Sequence, residues 1–234
     1  KLVSISNSKK KINTTISFVD IAGLVKGTSK GEGLGNKFLS HIREVDAIIH
    51  MIRCFESDDI QNVNPNIDPI RDLEIIETEM KLADLESIQK RLDKKNKKNV
   101  NIKELKLLEK ALNIINEDKS IEVLKEEFEK KDIENSGLLS TKPKLYVCNV
   151  DEESIENGNN YTKNFIKKYG QKNTLVISAN IEKQINQLGD EKEKLNFMKI
   201  LNIKDAGLKI LINKGYDLLS LQTFFTSGPE ESRA

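Results

Sequence analysis

The run Phe18-Val19-Asp20-Ile21-Ala22-Gly23-Leu24-Val25 decides how this chain is read. Apolar residues lead into an aspartate and a glycine follows three positions later, the pattern of a β-strand that ends in a turn. A strand-terminal carboxylate can hold an Mg²⁺-bound water, and a glycine lets the backbone approach a terminal phosphate. D-x-x-G alone is short, and it also describes an aspartate opening an ordinary turn. Three further features favour the nucleotide reading. A glycine-rich loop covers residues 28–35, an apolar strand covers 47–53, and a second strand, 145–148, runs into Asn149-Val150-Asp151-Glu152. Together they point to a nucleoside-triphosphate switch protein.

Outward from this run, residues 12–20 read as a strand and 26–35 as a glycine-rich switch-like loop. Residues 36–44 read as a short helix with Phe38, Leu39 and Ile42 on one face. The near-continuous apolar run at 47–53 suits a parallel strand covered on both faces. Residues 58–68 are loop, and Asp68 before Pro69 is an N-cap followed by proline at the first helical position of a helix to about residue 92. Two apolar stripes follow, Leu85, Ile88 and Leu92, then Leu105, Leu108, Leu112 and Ile115, separated by the polar stretch KKNKKNVN. That spacing describes an antiparallel helical hairpin packed mainly against itself. A further helix is expected at 120–131, then a return to the sheet through 136–144. Strand 145–148, helix 161–169, strand 174–177 and helices from 181 to 220 complete an α/β alternation with a parallel sheet.

Composition sets bounds. The chain has 234 residues, 37% hydrophobic and 32% charged, with a formal net charge of +1. No global charge favours nucleic acid, no DNA partner is expected, and any RNA contact needs a local patch. The dense basic cluster Lys94-Lys95-Asn96-Lys97-Lys98 reads first as a solvated turn. Cys54 and Cys148 each end an apolar strand, which makes them core thiols rather than a disulfide or metal pair. With two histidines, no Cys/His spacing suits zinc. No stretch approaches membrane-spanning length and no signal-peptide core is present, so a soluble, cytoplasmic protein is expected.

The stretch FVDIAGLVKGTSKGEGLGNKFLSHIREVDAIIHMIRCFESDDI at 18–60, with DPIRDLEIIETEMKLADLES at 68–87 and LQTFFTSGPEESRA at 221–234, resembles the Obg-like ATPase (YchF) family of translation-factor-type nucleotidases. The resemblance covers nearly the whole chain. It implies a P-loop NTPase G domain interrupted by a helical hairpin and followed by a small β-grasp (TGS) domain. The corresponding boundaries are 1–77 and 142–222 for the G domain, 78–141 for the helical insertion and 223–234 for the start of the TGS domain. It also implies ATP and Mg²⁺ as ligands, ribosome association and a monomer.

The residues that would carry this chemistry can be named. Asp20 is the metal candidate, and Gly23 would meet the γ-phosphate. Asn149-Val150-Asp151-Glu152 stands where GTPases carry Asn-Lys-x-Asp, whose Asp accepts from the guanine N1–H and 2-amino group. Here Val150 replaces the Lys and Glu152 is one methylene longer than Asp. The pairing suits guanine poorly, while Asn149 can still read the N7 and 6-amino edge of adenine. The family's N-x-x-E pattern implies ATP over GTP. Val150 is expected against the base face, and Ser178 and Ala179 in the loop that backs the base.

The chain also departs from the pattern. Leu24 cannot polarise the attacking water as the glutamine of many GTPases does, and Asn62 stands where the family usually has a candidate histidine base. No catalytic residue is therefore assigned. G-x-x-x-x-G-K-[ST] is absent; the nearest likeness, at 31–38, has Phe38 in place of the hydroxyl residue. In this family the P-loop lies upstream of the position of Lys1, on a central strand, so poor or no nucleotide binding is expected of these 234 residues alone. Three readings remain: an Obg-like ATPase, a nucleotide-responsive binding module with little turnover, and a conventional GTPase. An organellar copy is the alternative to a cytoplasmic one.

Overall fold

The computed structural model describes residues 1–21, 34–57, 66–93 and 101–234. Gly23, Leu24, Asn62 and the lysine cluster at 94–98 lie outside the described residues, as does most of the glycine-rich loop.

Among the described residues the main sheet has three parallel strands in the order β2 (Ile48–Arg53), β3 (Lys144–Asn149) and β4 (Thr174–Ile177). Their C-terminal ends are level, because Arg53 pairs with Asn149 and Asn149 with Ile177. Helices α3 (Pro69–Asp93) and α7 (Asn160–Tyr169) cover one face, where Ile52, Cys54, Leu73, Tyr146, Cys148, Val150 and Phe165 form one buried cluster. On the other face α10 (Gly207–Leu218) packs Ile210, Leu211 and Leu218 on Leu145, Val147, Leu175 and Ile177. The central strand β3 is thus sealed on both sides.

β2 differs from expectation. Ile48, His50 and Ile52 are buried, but Met51 on the opposite face is 57% exposed. α10 covers the middle of the sheet and reaches only as far as Ile49 on the β2 edge. His50 stacks on Tyr146 with ring centroids 5.7 Å apart, and its Nε2 has no hydrogen-bond partner. Burial, reinforced by the Lys144 charge, lowers its pKa to about 4. Cys54 and Cys148 are fully buried free thiols, as their strand positions imply.

A larger correction concerns residues 12–20. Only β1 (Lys10–Ile12) is a strand, and it joins no part of the main sheet. Phe18 and Val19 are 49% and 61% exposed. An apolar run becomes a strand when a neighbour completes its ladder and covers a face, and no described strand stands beside 13–20. β1 instead pairs in parallel with β6 (Glu231–Arg233), which pairs antiparallel with β5 (Thr226–Ser227).

Asp68 behaves as an N-cap, its Oδ1 accepting from Arg71 N at 3.0 Å. From there α3 runs 25 residues, from Leu73 on the sheet to Ile88 in a separate helical layer. α4 (Ile102–Asn116) lies against it, giving the expected hairpin. The hairpin does not pack mainly on itself, however. Leu107, Ala111 and Ile114, which the two-stripe pattern omits, are buried with Leu124, Ile133 and Leu138. The single helix expected at 120–131 is broken: a 3₁₀ turn at Ile121–Val123 leads into α5 (Leu124–Glu127), and α6 (Lys130–Ser136) follows. Phe128 adopts an extended conformation between them and packs on the layer, so burial of this ring outweighs helix continuity. Asp84, 1% exposed, closes the layer onto the sheet by accepting from the N–H groups of Leu139 and Ser140, each at 2.8 Å.

Candidate nucleotide-base site

The site lies at the level C-terminal edge of the main sheet, where ligands bind in open parallel sheets. Two backbone bonds carry the ladder one step past β3. Asn149 O accepts from Cys54 N, and Val150 N donates to Ile177 O, each at 2.8 Å. Since strand side chains alternate, Val150 follows Tyr146 and Cys148 onto the α3 and α7 face. It is 3% exposed within that core. The expectation that Val150 packs against a base is therefore corrected: the ladder turns it inward.

Asn149, half-buried, points the other way. Its Oδ1 accepts from Ala179 N at 2.9 Å, joining the β3 end to the first residue of α8 (Ala179–Gln187). That bond leaves the Asn149 side-chain N–H₂ as a donor pair. Ser178 precedes the helix and is 2% exposed, and its Oγ has no partner. A buried hydroxyl without a bond is costly, and here it stands one residue from the Asn149 contact.

Asp151 and Glu152 have separate tasks. Asp151 Oδ1 accepts from Ser154 N at 2.8 Å and closes a local turn. Glu152 instead reaches α8, where its Oε1 accepts from Asn180 Nδ2 at 2.5 Å and from Gln184 Nε2 at 2.8 Å. The structure thus brings Asn149, Glu152, Ser178 and Ala179 together. Asn180 and Gln184 were not singled out from sequence, although two amides four residues apart on a helix beginning at Ser178-Ala179 were a usable signal. The loop is braced from below as well: Asn159 caps α7 in a reciprocal capping box with Thr162, and its Nδ2 donates to Cys54 O at 2.6 Å.

Asp20 is exposed and stands apart from these contacts. Among the described residues no group of three His, Cys, Asp or Glu side chains converges on a metal position. An Mg²⁺ shared with phosphates and water takes one or two protein carboxylates, and Asp20 is an exposed one.

A family model described as "50S ribosome-binding GTPase" matches residues 3–78. The chain is 46% identical, over its whole length, to the "Ribosome-binding ATPase YchF" of Haemophilus ducreyi and 42% identical to that of Bacillus subtilis, spanning 66% of each relative's length. The structure of the Schizosaccharomyces pombe YchF GTPase superposes with a TM-score of 0.71 at 32% identity, over 99% of this chain and 65% of that one. Similarity of this extent, with the G-domain sheet in place, makes the chain a member of the YchF family.

Proposed function

We propose that this chain supplies the base-reading half of a ribosome-associated, Mg²⁺-dependent ATP hydrolase that prefers ATP to GTP and acts as a monomer. The observation that carries the reading is Asn149 Oδ1 on the Ala179 N–H at 2.9 Å. That bond engages the backbone donor nearest the base loop, which an acceptor such as guanine O6 would otherwise meet. The Asn149 donors remain for a purine N7, and Glu152 is the acid available to an exocyclic amino group. Val150 contributes by being no lysine, since its side chain is in the core. When bound, Mg²⁺ would neutralise charge on the phosphates, with Asp20 as its protein carboxylate. Gly23 would meet the terminal phosphate.

The proposed domain limits are 1–77 and 142–222, 78–141, and 223–234. Along α3 the core changes from the sheet side, which holds Ile76, Met80 and Ala83, to the helical layer at Leu85, a few residues past the proposed limit. The boundary therefore falls within one continuous helix. Among the described residues no helix is long and apolar enough to cross a membrane.

With a P-loop segment restored upstream of Lys1, ATP should bind about tenfold more tightly than GTP. Competitive titration of the two nucleotides at fixed Mg²⁺ measures the ratio. Equal affinity, or preference for GTP, overturns the base assignment.

A further inference from the structure

A carboxylate that reads guanine must offer two oxygens, because the N1–H and 2-amino donors lie side by side. Adenine presents a single exocyclic amino group beside an acceptor nitrogen, and one oxygen serves it. Glu152 is not free to do both. Asn180 Nδ2 and Gln184 Nε2 donate to the same oxygen, Oε1, at 2.5 and 2.8 Å. An sp² oxygen has two lone pairs, so two donors fill it. Oε2 is left as the acceptor.

We propose that Asn180 and Gln184 set base specificity by positioning Glu152 and filling its Oε1, which makes it a one-oxygen acceptor matched to ATP and mismatched to GTP. The inference rests on the base site assigned above. Three observations give it force. First, the fork is anchored. Ile181 and Ile185 on the inner face of α8 are 1% and 4% exposed, and Glu182 accepts from Gly207 N and Leu208 N at 2.6 and 3.1 Å. α8 is thus clamped to the start of α10, and it cannot follow the carboxylate if Glu152 swings out to meet two donors. Second, the preceding acid is engaged elsewhere, since Asp151 Oδ1 is held by Ser154 N at 2.8 Å. Third, the extra methylene of Glu152 over Asp supplies the reach to α8. The substitution that lengthens the acid and the amides that capture it act as one device. Asn180 and Gln184 are positioning residues; they act on the nucleotide through Glu152.

The chain with a P-loop segment added upstream of Lys1, uniformly ¹⁵N-labelled, is titrated with ATP and separately with GTP to millimolar concentration, following the Ala179 amide and the side-chain amides of residues 149, 180 and 184. The unaltered chain should respond at lower ATP than GTP concentration. In Asn180→Ala/Gln184→Ala the ratio of GTP to ATP dissociation constants should fall about tenfold, mainly through tighter GTP binding. Asn180→Gln, which keeps an amide donor, should retain the original ratio. A role confined to bracing α8 would weaken both nucleotides together and leave the ratio unchanged; that result overturns the fork while sparing the base site. No response of these amides to either nucleotide in the unaltered chain overturns the base site, and the fork with it. Backbone fingerprint spectra establish that each variant is folded.

Discussion

Two stretches of this chain carry comparable sequence patterns and meet different fates. Residues 145–152 and residues 12–20 both read as short strands that end in an acid-bearing turn. The first is a central strand with both faces covered, and its loop is fixed by bonds to β2, β4 and α8. The second has no ladder beyond Ile12, and Phe18 and Val19 stand open. Local pattern proposes a strand, but the neighbour decides it. A carboxylate placed on a braced loop can be aimed, whereas one on an unbraced run holds only its place in sequence.

The sharpest way to break this contrast is to remove the floor beneath the braced loop. Phe165 is fully buried under Cys148 and Val150 and stacks on Tyr169 with centroids 4.6 Å apart. Phe165→Ala should cost about 3–5 kcal/mol in urea unfolding, through lost burial and a cavity. A loss below about 1 kcal/mol would mean that the floor is not packed as described.

Next in size is the pH response of the same sheet. His50 is held neutral, with a folded pKa of about 4 against an ordinary value near 6.5. Between those values the unfolded chain binds the extra proton, so stability is intact above pH 6.5 and falls as pH drops toward 4. The full excursion is about 3 kcal/mol. Unfolding midpoints across that range should lose this slope in His50→Phe. If the variant keeps the parent slope, the burial of His50 is not its source.

The smallest effect belongs to the open run. Phe18→Ser should change stability by less than about 0.5 kcal/mol, the usual range for surface positions. A loss approaching that of Phe165→Ala would show that Phe18 is packed in solution and would remove the contrast.

Much of the main sheet was legible. The ends of β4 were placed to the residue, and the capping residue of α3 was identified, because apolar runs, Pro69 and Asp68 act locally. The misses share a cause, in that each depended on a distant partner. Phe128 leaves the helix to bury its ring in the layer built by α4 and α6, and Ile114 faces Leu124 and its neighbours rather than α3 alone. Val150 turned inward because the ladder ran one residue past the strand's apparent end. Within the candidate base site, the sequence motif offers Asn149, Glu152 and Ala179, and the structure brings them together. Asn180 and Gln184 were not legible, since an amide gains meaning only once the acceptor it reaches is known.

The pairing of β1 with β6 has a kinetic meaning. Lys10 faces Glu231 across 221 positions of chain, and closing a loop of that size carries a length-dependent entropy cost of about 5 kcal/mol. A ladder of three residue pairs, with hydroxyl contacts among Ser8, Ser227 and Ser232, cannot meet that cost alone. It forms once the parallel sheet and its helices have already drawn the two segments together. The small sheet is therefore expected to follow the main sheet in folding and to open before it.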